Sequence, residues 1–250
     1  MSGHSKWKTI KHKKGALDAK RGQLFTKIAR EITVAARQGG PDSSTNVRLR
    51  FAVQKARDNN MPMDNVERAI KKGAGLTEDA SVLEELTYEG YGPGGAAILV
   101  QALTDNRNRT VSDIKHVFAK SGGNLAATGA VSWIFDAAGV MIVEKLEADD
   151  AESIALEAID SGVDDFKVES GLLELHMDPS YFEPVRSIVE ANGSDVTSAE
   201  LSMIPKNTVA LDTGNSRSTL RLLDSLEDLD DVQKVFTNAD FDEVAFEQYL

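Results

Sequence analysis

Between Gly22 and Gln38 apolar side chains return every three or four positions. At about 100° per residue, Leu24, Phe25, Ile28, Ile32, Ala35 and Ala36 gather on one face, with Lys20, Lys27, Arg30 and Arg37 on the opposite one. This predicts an amphipathic helix, ended by Gly39-Gly40-Pro41, because the glycines relax the backbone and proline cannot continue it. A second helix is predicted from Thr45 to Asp58. Its seam is Leu49, Ala52, Val53 and Ala56, flanked by Arg48, Lys55, Arg50 and Arg57. A short third helix follows Met61-Pro62. Asp64 and Glu67 suit its positive N-terminal end, and Lys71-Lys72 before Gly73 suit its C-terminal end.

From Leu83 the period changes from helical to strand-like. LEELTYEGY and AAILVQALTD, separated by Gly92-Pro93-Gly94-Gly95, predict a hairpin. NRNRTVSDIKHVFAKSGG predicts a helix with Val111, Ile114, Val117 and Phe118 buried, and GAVSWIFD a further strand. Then GVMIVEK, DDAESIALEAIDSG, VDDFKVES, LLELHMD, PSYFEPVRSIVEANG and DVTSAELSMIP alternate as β-α-β-β-α-β, the ferredoxin-like order. NTVALD, SRSTLRLLDSLEDL and DVQKVFTNAD close the chain as strand, helix and strand. Neither this tail nor the hairpin–helix–strand segment makes a complete sheet alone. Joining them gives an α+β multidomain protein. It has a helical N-terminal domain (1–80), a discontinuous α/β second domain (81–136 and 206–250) and an inserted ferredoxin-like third domain (137–205).

Length alone suggests about two domains, and 41% hydrophobic residues suffice for more than one core. Charge adds a polarity that the pattern does not show. The net charge of −12 is the difference between two unlike parts. Residues 1–72 hold 17 Lys/Arg against 6 Asp/Glu, and residues 73–250 hold 11 against 34. A basic segment on an acidic body points to a polyanion partner. A solvated, solubilising tail is the plainer reading. No run approaches a membrane span. The start lacks the apolar stretch of a secretory signal and is rich in lysine rather than in the arginine and serine of a transit peptide. A cytoplasmic protein without membrane attachment is expected.

Candidate chemistry is sparse. The chain has no cysteine, which excludes thiolate catalysis, disulfides and cysteine-ligated metals. It has no P-loop, no G-x-S-x-G and no H-E-x-x-H. His4, His12, His116 and His176 show no ligand spacing. The acidic doublets Asp149-Asp150, Asp164-Asp165 and Asp230-Asp231 lack the spacing of a calcium loop. GYGPGG lies between two strands, so it reads as a turn rather than a phosphate cradle. No enzyme, metal or cofactor is expected.

The cationic start is the better signal. Lys6, Lys8, Lys11, Lys13, Lys14, Lys20 and Arg21 suit phosphates. Trp7 among them either stacks on an unpaired base or anchors the segment to a helix. Arg107 and Arg109, at a helix start, either add a second anion site or neutralise Asp105 and Asp113.

GHSKWKTIKHKKGALDAKRGQLFTKIAREITVAARQGG, NNMPMDNVERAIKKG, TYEGYGPGGAAILVQALTDNRNRT and SGGNL closely resemble the YebC family, whose mitochondrial branch is the translational activator of cytochrome c oxidase. The resemblance covers about residues 3–135 and continues in outline to the C-terminus. It implies the three-domain fold reached above and no enzymatic activity. Family members are described as DNA-binding transcriptional regulators, and others as translation factors that act on the ribosome and relieve stalling at proline-rich stretches. By resemblance, HSKW, IKH and DAKRG place His4, Lys6, Trp7, Lys11, His12, Lys20 and Arg21 on a nucleic-acid face, and TDNRNRT adds Arg107 and Arg109. Met63 stands where relatives often carry lysine. The expected interface is Lys6, Trp7, Lys8, Lys11, His12, Lys13, Lys14, Lys20, Arg21, Lys27, Arg30, Arg107 and Arg109. Its expected partner is rRNA at the ribosome, with duplex DNA as the alternative, and a monomer is expected.

Overall fold

In the computed structural model, which describes residues 18–77, 83–144, 148–169 and 171–249, the first periodic stretch is a 22-residue helix, α1 (Asp18–Gly39). Asn46 makes the corner that follows. Its Oδ1 accepts from the Leu49 N–H at 3.0 Å, capping α2 (Val47–Asp58), and its amide donates to the Ala35 and Gly40 carbonyls at 2.8 Å. One buried side chain thus serves the orphan groups of two helix ends. Asn60, at φ 55°, takes the left-handed turn into α3 (Met63–Gly73), a conformation asparagine tolerates. The predicted seam of α2, Leu49, Ala52, Val53 and Ala56, is buried against Ile28, Ile32, Ala35 and Ala36 of α1 and Val66 and Ala69 of α3. Gly73 lets α3 approach α1 closely, since a Cβ there would lie 2.3 Å from the Thr33 carbonyl oxygen.

The hairpin forms from β1 (Glu84–Tyr91) and β2 (Ala97–Thr104), paired without a slip from Glu84↔Thr104 to Tyr91↔Ala97. Gly94 (φ 76°) and Gly95 (φ 81°) turn it, and a Cβ on Gly94 would press on Leu211 at 2.6 Å. Then come α4 (Arg107–Lys120), the two-residue β3 (Asn124–Leu125) and, after residue 206, β8 (Val209–Ala210), α7 (Thr213–Glu227), β9 (Val232–Thr237), β10 (Ala239–Asp240) and α8 (Glu243–Glu247). The sheet order is β3-β1-β2-β9, and β8 and β10 form a separate parallel pair. Ile98 and Val100 of β2 share one core with Ile114 and Phe118 of α4, Leu220 and Leu223 of α7, and Val235 of β9. The segments before and after residues 135–206 therefore complete one α/β layer. Val34 of α1 is buried with Leu83 and Leu103, so the helical domain and this layer belong to one compact unit.

The second unit spans Phe135–Lys206. It runs β4 (Phe135–Glu144), α5 (Ala148–Ile159), β5 (Val163–Glu169), β6 (Leu172–Met177), α6 (Phe182–Ala191) and β7 (Val196–Pro205), in sheet order β5-β6-β4-β7 with antiparallel neighbours. This is the ferredoxin-like arrangement, inserted between the halves of the α/β layer.

GAVSWIFD and GVMIVEK are not two strands. Ser132–Ile134 form a 3-10 turn, and a single strand, β4, runs from Phe135 through Gly139 to Glu144, across the expected boundary after residue 136. Gly139 is no break. It pairs with Met177 and Leu201, and it is small because the Phe182 ring lies where its Cβ would be, at 2.8 Å.

Candidate nucleic-acid interface

Lys6, Trp7, Lys8, Lys11, His12, Lys13 and Lys14 lie outside the described residues. Lys20 lies on the backbone of the first turn of α1, and Arg21 beside it is exposed, its guanidinium 5.6 Å from the Phe25 ring centroid. Arg107 opens α4 and is exposed. The remaining expected residues, Lys27, Arg30 and Arg109, converge on the segment 227–231.

That convergence has a physical cause. α7 ends at Glu227, where unpaired carbonyls form the negative end of a helix dipole, and Asp228, Asp230 and Asp231 follow. The polar face of α1 packs there. Lys27 donates to the Glu227 carbonyl, and the Gln23 amide to the Asp228 carbonyl and the Asp230 carboxylate, both at 2.8 Å. Arg30 donates to the Asp230 carbonyl at 2.8 Å and to Asp231 Oδ1 at 2.9 Å. From the opposite side Arg109 reaches Asp231 Oδ2 at 2.8 Å and Asp105 at 2.9 Å, while Thr110 donates to Asp231 Oδ2 at 2.8 Å and Thr104 at 3.2 Å. Burial alone would push the Asp231 carboxyl up. The hydrogen bonds from Arg109, Thr110 and Arg30 outweigh it and hold the group below the usual carboxylate range. Arg109 thus neutralises Asp105, as one sequence reading had it, and also Asp231, which lies 122 residues away.

A second clamp fixes the same two layers. Arg48 meets Glu85 through two nitrogens, at 2.9 and 3.0 Å, and Glu31 at 2.8 Å. The Arg48 hydrogen bond holds the Glu85 carboxyl below its ordinary value. Arg37 donates to the Leu83 carbonyl. The cations left facing solvent on the helical domain therefore include Arg21, Arg57, Arg68 and Lys71, the last 3.7 Å from Glu67. Arg57 stands in the last turn of α2 and Arg68 on α3. The expected interface did not include them. Their alternation with buried positions in each helix was the signal available.

The opposite end of the α/β layer is ordered by a buried carboxylate. Glu89, 3% exposed, accepts from the N–H groups of Gly129, Val131 and Ser132 at 2.6–2.8 Å. Burial would raise its pKa, but these three donors hold it lowered. Tyr91 adds a bond to the Ala130 carbonyl at 3.0 Å. Glu89→Gln puts an amide donor against a backbone donor. It should cost about 2 kcal/mol and raise amide hydrogen exchange at 129–132 ahead of the sheet. Unchanged protection would show that the loop is held by other means.

The described residues offer little for catalysis. No group of three or more His, Asp or Glu among them is placed to hold a metal. A cleft at α7 and α8 is lined by Arg217, Arg221, Ala245, Gln248 and Tyr249; the Tyr249 hydroxyl donates to Asp224 at 2.6 Å, and burial with that carboxylate pushes its pKa up, away from the nucleophilic phenolate. In β6, His176 and Glu174 are hydrogen-bonded and buried, which makes them an internal pair. Among the described residues no helix is long and apolar enough to cross a membrane.

Comparison with known proteins bears on this surface. Residues 5–76 match a family described as "TACO1/YebC protein N-terminal domain", and residues 83–239 match "TACO1/YebC second and third domain". A protein of Dehalococcoides mccartyi named "Probable transcriptional regulatory protein DET0444" is 59% identical over all of this chain and 98% of its own length. One of Syntrophus aciditrophicus, named "Probable transcriptional regulatory protein", is 47% identical over 99% of each chain. The crystal structure of a conserved hypothetical protein, Aq1575 from Aquifex aeolicus, superposes with a TM-score of 0.80 at 42% identity, covering 90% of this chain and 93% of that one.

Proposed function

The chain belongs to the TACO1/YebC family, and on that premise we propose that it is a non-enzymatic, nucleic-acid-binding regulator of gene expression that acts on rRNA at the ribosome as a translation factor, relieving stalling at proline-rich stretches. The observation that carries the reading is the segregation of charge. Residues 1–72 hold 17 of the chain's 28 Lys/Arg and only 6 of its 40 Asp/Glu. The phosphate-facing surface consists of the basic start with Trp7, then Lys20, Arg21 and Arg107, together with Arg57 and Arg68. Lys27, Arg30 and Arg109 hold α1 and α4 to the segment 227–231. The protein works in the cytoplasm as a monomer.

The names of the relatives favour a second reading, a DNA-binding transcriptional regulator. α2, the turn 59–62 and α3 have the connectivity of a helix-turn-helix. In that motif the second helix presents its N-terminal residues to base edges. Here those positions carry exposed Asp64 and Glu67, which a phosphate-lined groove repels. That argues against duplex readout through α3.

The test is binding of the whole chain to purified ribosomes and to promoter-length duplex DNA across a salt series, with reconstituted translation of a proline-run reporter beside it. We expect ribosome binding to survive 0.15 M salt and full-length reporter to increase. On DNA, log K should fall with log salt at a slope near −5 if about six phosphates are neutralised. Preference for one DNA sequence, with no ribosome retention, would overturn the reading.

A further inference from the structure

The inserted unit carries the opposite charge to the basic start. Residues 135–206 hold 17 Asp/Glu against four Lys/Arg. A surface of that sign repels nucleic acid, so the phosphate-binding role gives this unit no work. Its helical side is not simply a solvated acidic face, however. Leu156 is 63% exposed, Ile159 42% and Tyr181 44%. Leu156 and Ile159 stand three residues apart on α5 and share its outer surface. Tyr181 joins them at the end of that helix. Its ring covers Gly162, three residues beyond Ile159, closely enough that a Cβ there would lie 2.4 Å from it. Acids frame the patch. Glu152 lies four residues before Leu156 on α5, Asp160 directly follows the last residue of that helix, and Asp164 is the second residue of β5, all three exposed.

Singly exposed apolar residues are ordinary, but a cluster rimmed by polar groups marks an interaction surface. The inward positions of α5, Ala151, Ile154, Ala155 and Ala158, are 0–2% exposed and fill the core. Leu156 therefore stands largely outside that core, and Ile159 partly so. We propose that this face of the inserted unit docks a basic amphipathic segment of a partner protein. The segment's apolar residues would cover Leu156, Ile159 and Tyr181, and its Lys or Arg side chains would meet Glu152, Asp160 and Asp164. The charge decides the class of partner. A membrane with anionic lipids and an RNA are both repelled, and the inserted unit of a second copy is repelled by its own net charge; the basic start of a second copy would be attracted, and sedimentation tests for it. The chemistry that satisfies both the carboxylates and the exposed leucine, isoleucine and tyrosine is a cationic helix or tail with apolar residues at intervals.

The inference is independent of which nucleic acid the basic start binds, and its test does not use one. The full chain is titrated at 0.15 M salt against a labelled 15-residue Leu/Lys amphipathic peptide and against oligolysine of the same charge, with fluorescence anisotropy as the readout. The Leu/Lys peptide should bind at least tenfold more tightly than oligolysine. Leu156→Ser with Ile159→Ser should weaken it tenfold or more, while Val244→Ser, an equally exposed apolar residue outside the unit (54%), leaves it unchanged. Circular dichroism and ribosome binding of the double variant should match the wild type, which separates this face from the basic start. The proposal is overturned if the double variant binds the peptide as the wild type does, if oligolysine binds equally well, or if sedimentation shows a dimer that the same two substitutions dissolve, since the occupant would then be a second copy.

Discussion

Replacing Lys6, Lys8, Lys11, Lys13 and Lys14 together by glutamine is expected to lower nucleic-acid affinity by two to three orders of magnitude near 0.1 M salt. It should also flatten the salt dependence on duplex DNA by about 4 units of slope. Each lysine that neutralises a phosphate releases a counterion, so the slope counts the contacts. Five lysines fall within nine residues, without one acid among them. The body beyond residue 72 cannot compensate, because there acids outnumber bases 34 to 11. The melting temperature should not move. If the slope stays at its wild-type value, the start is a solvated tail and the grip lies elsewhere. Trp7→Ala separates the two readings of that residue. Loss of affinity on single strands with the duplex unaffected would mark stacking on an unpaired base, worth about 1–3 kcal/mol. Loss of stability instead would mark a packing anchor.

Local pattern made much of the architecture readable in the sequence, and distance in the chain hid the rest. The seam Leu49, Ala52, Val53 and Ala56 was legible because a helix repeats every 3.6 residues and burial follows that repeat. The hairpin was legible because Gly94 and Gly95 adopt positive φ, which glycine alone takes without strain. β4 was misread because Gly139 looks like punctuation, whereas its smallness answers to Phe182, 43 positions later. The cations of α1 show the same limit. Lys20, Lys27, Arg30 and Arg37 form a stripe that charge alone assigns to an external polyanion. Nothing local distinguishes a phosphate from the carbonyls and carboxylates at the end of α7, some 200 residues away. Glu89 was invisible for a related reason. A carboxylate in an alternating strand reads as solvent-facing, and the three amides that bind it lie 40–43 residues on.

Asp231→Ala should be the most costly single substitution of a charged residue in the larger unit, at about 2–3 kcal/mol, which lowers the melting temperature by roughly 5–10 °C. The carboxylate is 6% exposed, and its loss leaves Arg30 and Arg109 facing each other across the joint between helical domain and sheet, with Thr104 deprived of this acceptor and Thr110 turned to the Asn106 carbonyl. The half-exposed Arg109 recovers some hydration, which keeps the cost below that of a fully buried pair. The pH dependence has a definite sign. The folded-state pKa of Asp231 lies below its unfolded value near 4. Its contribution is therefore complete above about pH 5 and is lost as pH falls through the folded value. Melting curves of wild type and variant should be furthest apart near neutrality and converge in acid. A constant gap from pH 7 to pH 3 would mean that packing, not charge, accounts for the loss. The same geometry divides the basic residues by readout. Arg30→Gln should appear in the melting curve and leave ribosome affinity nearly unchanged, because that guanidinium is already spent on Asp230 and Asp231, whereas Arg57→Gln and Arg68→Gln should do the reverse.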